Sequence, residues 1–288
     1  MRLVSFESGG QRGVAVADEG GGLRGRLAGE RGYPGDLDSL LQQGEAALRQ
    51  AGQRLLDGNP FRQEEVRFLP PLAAPAKIIC VGLNYREHSR ETGFEVAAYP
   101  ALFVRFRTCL IGHRAPLLRP RVSHQLDYEG ELVAVVGRRG RHIARASALE
   151  HIVGYSIFND ASIRDYQMRT TQWTVGKNFD GTGAFGPWLV THDELPAGAA
   201  GLKLQTRLQG KVMQQAVTSE LIFDVATLVT LLSEAFTLEP GDLIVTGTPS
   251  GVGFARRPPV FMQPGDVCEI EIERIGTLVN PVADEGAC

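Results

Sequence analysis

The sequence predicts a β-rich α+β protein, with a small N-terminal α+β domain over residues 1–72 and a larger strand-dominated domain over residues 73–288. Three observations carry this. Short runs rich in β-branched and aromatic residues, bounded by Gly, Pro or Asp, recur along most of the chain. Stretches with apolar residues at helical spacing are few. Between residues 68 and 77, FLPPLAAPAK places Pro70, Pro71 and Pro75 in a segment too stiff for a helix interior or a central strand, which marks the boundary.

Taken in order, RLVSFESGGQRGVAVADEGGGLRGRL reads as a small meander of strands separated by Gly pairs. After the turn YPGD, DLDSLLQQGEAALRQAGQRLL sets Leu37, Leu40, Leu41, Leu48 and Leu55 on one face of an amphipathic helix. Beyond the boundary, KIICVGL is a compact buried strand leading into NYREHSRETG, a polar helical segment that stops at Gly93. The strands ALFVRF, GELVAVVG, IVGYSIFND, GPWLVT, LKLQTRLQG, DLIVTGT and DVCEIEIERIG follow, two of them launched by the PGD turns at 240–242 and 264–266. One helix, within SELIFDVATLVTLLSEAF, interrupts them.

The formal net charge of -3 comes from mixed acids and bases with no basic block, which argues against a nucleic-acid partner. No apolar run is long enough for a membrane span. The four cysteines lack CxxC spacing and the N-terminus lacks a secretory pattern, so reduced thiols in the cytoplasm are expected.

The informative anomaly is DYEGELVAVV. Residues i and i+2 of a strand share a face, so Glu129 and Glu131 converge. In CEIEIERIG, Glu269, Glu271 and Glu273 alternate with apolar residues, as on a strand with one wet face. Glu129 and Glu131 instead run into LVAVV, which alternates nothing and looks buried on both sides. A strand mouth at the surface would leave them merely solvated; a third carboxylate, Asp160 at the end of IVGYSIFND, makes a hard divalent cation the alternative. Asp160 by itself also suits the N-cap of the segment that follows. No Cys or His cluster points to zinc.

His88 and Glu91, at i and i+3 in NYREHSRETG, share a helix face, either as a dyad able to move a proton or as a solvated surface pair. Arg164, Gln167 and Lys177 offer charge and polarity for an enolate or carboxylate, or form surface pairs worth little. The Gly-rich GKNFDGTGAFG and GTPSGVG lack the phosphate-loop pattern and read as close-approach loops. His113, His124, His142, His151 and His192 sit in unpatterned surroundings.

Together, KIICVGLNYREHSRETG, LDYEGELVAVVG, GYSIFNDASIRDYQ, WTVGKNFDGTGAFGPW and VTGTPSGVG, in this order, resemble the fumarylacetoacetate hydrolase family, with PGDVCEIEIERIGTLVNPV completing the C-terminal end. The resemblance implies a roll of mixed β-sheets and a homodimer. It implies Glu129, Glu131 and Asp160 as ligands of Mg²⁺ or Mn²⁺, and His88 and Glu91 as a catalytic dyad on a segment ordering over the substrate. Lys177, with Arg164 and Gln167, would meet the substrate's oxygens, and Thr248 would belong to the loop holding a substrate carboxylate.

The reaction expected first is metal-dependent hydrolysis of a C–C bond in a 1,3-dicarbonyl 2-oxo acid such as an acylpyruvate. The same site run as an isomerase or decarboxylase of a 2-hydroxymuconate-like or oxaloacetate-like acid is the alternative, and a non-catalytic dicarboxylate-binding protein the rival. Three departures from the family pattern bear on substrate identity: Phe103-Val104-Arg105-Phe106 where Phe-x-Lys-Pro is usual, Ser162-Ile163-Arg164 for Ser-Ala-Arg, and Lys177-Asn178-Phe179 for Lys-Ser-Phe.

Overall fold

Branched side chains pack well on a pleated surface, and the apolar runs of this chain form strands accordingly. The computed structural model describes residues 1–18, 20–92 and 98–286. At its centre the strands Gly130–Val136 and Ile152–Asp160 run antiparallel, with Gly130 opposite Asn159 and Glu131 opposite Phe158. Every residue of both strands is buried, so the unbroken apolar run LVAVV reflects cover on both faces. Gly183–Thr191 flanks the pair on one side and Leu243–Val245 on the other. Ile78–Gly82 then adds in parallel, and Ala101–Arg105 follows it at the edge.

The N-terminal meander, Arg2–Ser8, Gln11–Ala17 and Leu23–Leu27, forms as its Gly-separated runs imply. It joins the central strands through Leu3 opposite Leu189 and Arg2 opposite Val190, giving one twelve-stranded sheet. A five-stranded sheet, in the order Lys211–Val217, Lys203–Leu208, Val267–Ile272, Gly276–Asp284, Leu117–Arg119, packs against it. Leu132, Ile157, Leu204, Ile270 and Leu278 belong to the core between them. On the other face, Leu37, Leu41, Leu48 and Leu55 pack with Val14, Val133 and Leu189. Parallel and antiparallel pairs coexist, so the architecture is the β-rich mixed-sheet α+β fold expected from the sequence.

The helices are shorter than their periodicity suggests. The segment after YPGD is two helices, Leu37–Gln42 and Glu45–Leu55, because Gly44 at φ 97° breaks the hydrogen-bond ladder while the leucines keep one buried face. In SELIFDVATLVTLLSEAF only Val225–Ala235 is α-helical; the Asp224 carboxylate accepts the Thr227 N–H at 2.8 Å and fixes the start. The helix of NYREHSRETG spans Arg86–Thr92; its stop at Gly93 lies outside the described residues. Both PGD turns place their glycine at φ 90° and lead into strands. In Val267–Ile272 the side chains of Cys268, Ile270 and Ile272 are buried, while Glu269 and Glu271 pair with Arg207, the wet face read from the sequence. Among the described residues, no helix is long and apolar enough to cross a membrane.

Candidate functional site

Directly opposed residues of an antiparallel pair point to the same face. The central register therefore puts Asp160 across from Glu129, and the Asp160 N–H donates to the Glu129 carbonyl at 2.9 Å. Glu131 shares that face two residues on. The three carboxylates are buried, with one oxygen from each lying within 4.8 Å of the others. Asp160 does not cap a helix, since the N-cap of Arg164–Gln167 is Ile163.

Cations surround two of the three. Lys177 Nζ donates to Glu129 Oε2 at 2.7 Å and to Asp160 Oδ2 at 2.6 Å. Arg164 Nη1 lies 2.7 Å from Glu129 Oε1. Burial pushes the Glu129 carboxyl up, but Lys177 and Arg164 outweigh it and hold it well below the ordinary range. Glu131 is the odd member. Its Oε2 accepts the Gly247 N–H at 2.5 Å. Burial, then the charges of Asp160 and Glu129, push its carboxyl well up. Three buried oxygen donors, one of them inadequately compensated by the nearby cations, suit a hard divalent cation.

Glu129 and Glu131 open into a cavity of about 120 Å³, whose walls include His88, Phe103, Gln167, Trp173, Lys177, Thr248 and Phe254. Such a space is on the scale of a small molecule. His88 is buried, with Nδ1 at 3.6 Å from Glu91 Oε2. Glu91 also accepts the Gly251 N–H, at 2.9 and 3.0 Å to its two oxygens, which ties the Arg86–Thr92 helix to the loop after Leu243–Val245. Burial raises the Glu91 carboxyl, and the His88 imidazole and Gly251 amide more than offset it, so it lies below the usual range.

Thr248 Oγ1 accepts from Gln214 Nε2 at 2.8 Å and donates to the Gly130 carbonyl at 3.1 Å. Gln167 Oε1 accepts from Arg164 Nη1 at 2.8 Å. The structure thus brings every site residue expected from the sequence to one cavity or to direct contact with its lining.

Sequence reasoning missed several supporting residues. Asp127 is fully enclosed and accepts from Arg164 Nε, Tyr128 N, Gly253 N and Phe254 N, all at 2.8–2.9 Å. Gln214 holds Thr248 and also accepts the Gly130 N–H at 3.0 Å. Arg105 bonds Asp160 Oδ1 at 2.5 Å. The available signal was the one that exposed Glu129: a charged residue inside an otherwise apolar strand, as in ALFVRF and LDYEGE. The departure at Asn178 also has a place, since Asn178 donates to the Val104 carbonyl at 3.0 Å and accepts the Phe106 N–H at 2.5 Å, clipping the edge strand.

A mixed β-roll with a buried carboxylate triad beside a His-bearing helix is the arrangement on which the family assignment falls. The family model described as fumarylacetoacetate (FAA) hydrolase C-terminal matches residues 77–283. The protein belongs to the fumarylacetoacetate hydrolase family. It is 39% identical over 288 residues to a Bos taurus protein described as a mitochondrial oxaloacetate tautomerase, covering 98% of this chain and 91% of that one. The human counterpart of the same description is 38% identical over 289 residues, with the same coverage.

Among solved structures, a fumarylacetoacetate hydrolase from Exiguobacterium antarcticum is similar with a TM-score of 0.85 at 35% identity, covering 99% of this chain and all of that one. A 2-hydroxyhepta-2,4-diene-1,7-dioate isomerase from Mycobacterium marinum matches with a TM-score of 0.77 at 34% identity, covering 99% of each chain.

Proposed function

We propose that the protein is a tautomerase of a small 2-oxo dicarboxylic acid such as oxaloacetate, moving one proton between C3 and the 2-oxygen. The sequence put C–C hydrolysis first; relatives described as oxaloacetate tautomerases over nearly the whole chain favour the isomerase alternative. The observation that carries the reading is the placement of His88: a buried imidazole on the wall of the cavity that Glu129, Glu131 and Lys177 also line. Residues 73–288 form the catalytic unit and residues 1–72 an accessory one, since the family match begins at residue 77 and all proposed site residues lie beyond it.

Glu129, Glu131 and Asp160 would hold Mg²⁺ or Mn²⁺, which when bound supplies Lewis-acid polarisation of the 2-oxo group. Lys177, fixed on Glu129 and Asp160, adds positive charge where the enolate oxygen develops. Among the described residues Arg164 Nη2 is buried with no acceptor, so it has a hydrogen bond to give to a substrate carboxylate. Thr248, held by Gln214, lines the cavity for the second carboxylate. His88 takes the C3 proton of the keto acid and returns a proton to the oxygen, with Glu91 orienting the ring. The C3–H bond breaks, an O–H bond forms, and no water is consumed. Phe103, Trp173 and Phe254 limit water around the reacting carbon.

The edge strand Ala101–Arg105 exposes Leu102 and Val104, with Phe106 beyond it, and offers the surface for the homodimer. The buried thiols of Cys80, Cys109 and Cys268 suit the reducing cytoplasm expected from the sequence, whereas the vertebrate relatives are described as mitochondrial.

The test is proton NMR of oxaloacetate in D₂O with Mg²⁺, with Mn²⁺ and with chelator. Tautomerisation predicts accelerated deuterium entry at C3 with the carbon skeleton intact and loss of the acceleration on chelation. Two carbon fragments would establish hydrolysis in its place, released carbon dioxide would establish decarboxylation, and metal-dependent binding without turnover of any 2-oxo acid would make it a binding protein.

A further inference from the structure

Arg105 enters the sequence only as a departure in the pocket wall, yet its side chain is fully enclosed. Nη1 donates to Asp160 Oδ1 at 2.5 Å and to the Ala161 carbonyl at 3.2 Å. Nη2 donates to Thr182 Oγ1 at 2.6 Å, and Nε reaches Cys109 Sγ at 3.2 Å. The guanidinium also sits 5.5 Å from the centre of the Phe158 ring. Thr182 is itself anchored, donating to the Phe179 carbonyl at 2.6 Å. Space is made for the group by Gly183, where a Cβ would fall 2.8 Å from Cys109 Sγ and 3.4 Å from Arg105 Nε. Each nitrogen of the fork thus has its own fixed acceptor, and the other oxygen of Asp160 faces Lys177.

We propose that Arg105 is a positioning residue that pins Asp160 as a one-oxygen ligand, biasing the carboxylate triad toward small six-coordinate cations, Mg²⁺ and Mn²⁺, and against Ca²⁺. The inference rests on the metal-site reading above. A carboxylate whose Oδ1 is occupied by an immobile charged donor cannot turn to present both oxygens to one ion. Ca²⁺ takes six to eight oxygens and commonly binds carboxylates through both, whereas Mg²⁺ demands near-octahedral, single-oxygen ligation. A lysine at this position brings a point charge without the planar fork, so it holds Asp160 without also bracing against Thr182.

The test is calorimetric titration of Mg²⁺ and of Ca²⁺ into the intact protein and its Arg105→Gln, Arg105→Lys and Thr182→Val variants, with melting curves to confirm folding. Freeing Asp160 in Arg105→Gln weakens Mg²⁺ by about 10–100-fold, the usual effect of losing an outer-shell partner. Ca²⁺ loses less, so the Mg²⁺ to Ca²⁺ preference narrows about tenfold or more. Arg105→Lys restores Mg²⁺ affinity in part, and Thr182→Val, which keeps every charge, narrows the preference in the same direction. If Arg105→Gln does not fold, Thr182→Val decides.

An unchanged or widened preference, or tighter Mg²⁺ binding in Arg105→Gln, would make the arginine a mere charge balance and overturn the inference while leaving the metal site standing. Failure of the unaltered protein to bind either ion would overturn the metal-site reading, and this inference with it.

Discussion

Asp127→Asn is the perturbation whose consequence the structure defines most sharply. The wild-type carboxylate accepts Tyr128 N–H and Gly253 N–H on Oδ1, and Phe254 N–H and Arg164 Nε–H on Oδ2. An amide of the same shape keeps one acceptor oxygen and replaces the other with an NH₂ group. With the oxygen left facing Tyr128 and Gly253, two donors, one of them charged, meet a donor. A buried donor left unsatisfied costs about 1–3 kcal/mol, so the pair costs about 2–6 kcal/mol. The independent figure for stripping one partner from a buried ion pair is about 3–5 kcal/mol, which agrees.

For a chain of this size, about 2–4 °C per kcal/mol converts the loss to a Tm lower by roughly 6–20 °C. The same substitution releases Arg164 from its anchor beside Glu129, so turnover at saturating substrate falls about a hundredfold even below the melting range. Scanning calorimetry and steady-state rates of the proposed tautomerisation at 20 °C measure the two effects separately. Glu7→Gln is the control: the Glu7–Arg67 pair lies at the surface with Arg67 exposed and Glu7 partly buried, and its loss moves stability by less than about 1 kcal/mol. A Tm for Asp127→Asn within 2 °C of wild type would refute the reasoning that Asp127 is the electrostatic hub of this loop.

Three further outcomes are expected. His88→Ala abolishes C3 deuterium exchange while calorimetric Mg²⁺ binding stays within about twofold, because the imidazole is no part of the triad; retained exchange would exclude His88 as the proton carrier. Gly253→Ala places a Cβ 1.8 Å from the Val260 carbonyl and 2.5 Å from Asp127 Oδ1, so backbone must move and stability drops by about 1–3 kcal/mol or more, read as urea midpoint.

Burial, then Arg114, holds the His113 imidazole down to about 4, and its Nδ1 accepts the Val279 N–H at 3.1 Å. The unfolded imidazole titrates near about 6.5. The unfolded state therefore binds the extra proton first, and stability is complete above about pH 6.5 and declines by about 2–3 kcal/mol as pH falls toward 4. His113→Gln flattens that acid limb in melting curves at pH 7, 6 and 5; parallel curves for the two proteins would show that His113 does not govern it.

Much of the site was legible because its chemistry clashes with its local pattern. Glu129 and Glu131 head a run buried on both faces, whereas Glu269 and Glu271 alternate with apolar residues and are paired at the surface with Arg207. That contrast needs no tertiary information. Helix extents were less legible, because periodicity reports which face is buried and not where the ladder stops; Gly44 and the Asp224 cap set those limits.

By itself the chain's residue order determined the strand-rich class, the turns at PGD and the convergence of Glu129 and Glu131 on one strand face, since each follows from side-chain period and local backbone freedom. Only the tertiary structure decided how they meet. The antiparallel register sets Asp160 across from Glu129, and the guanidinium of Arg105, 55 residues earlier, closes on Asp160. The Gly247 amide reaches Glu131 from 116 residues away. Such pairings are fixed by strand register and loop closure between distant segments, and a local pattern of side chains carries no record of which distant backbone will lie beside it.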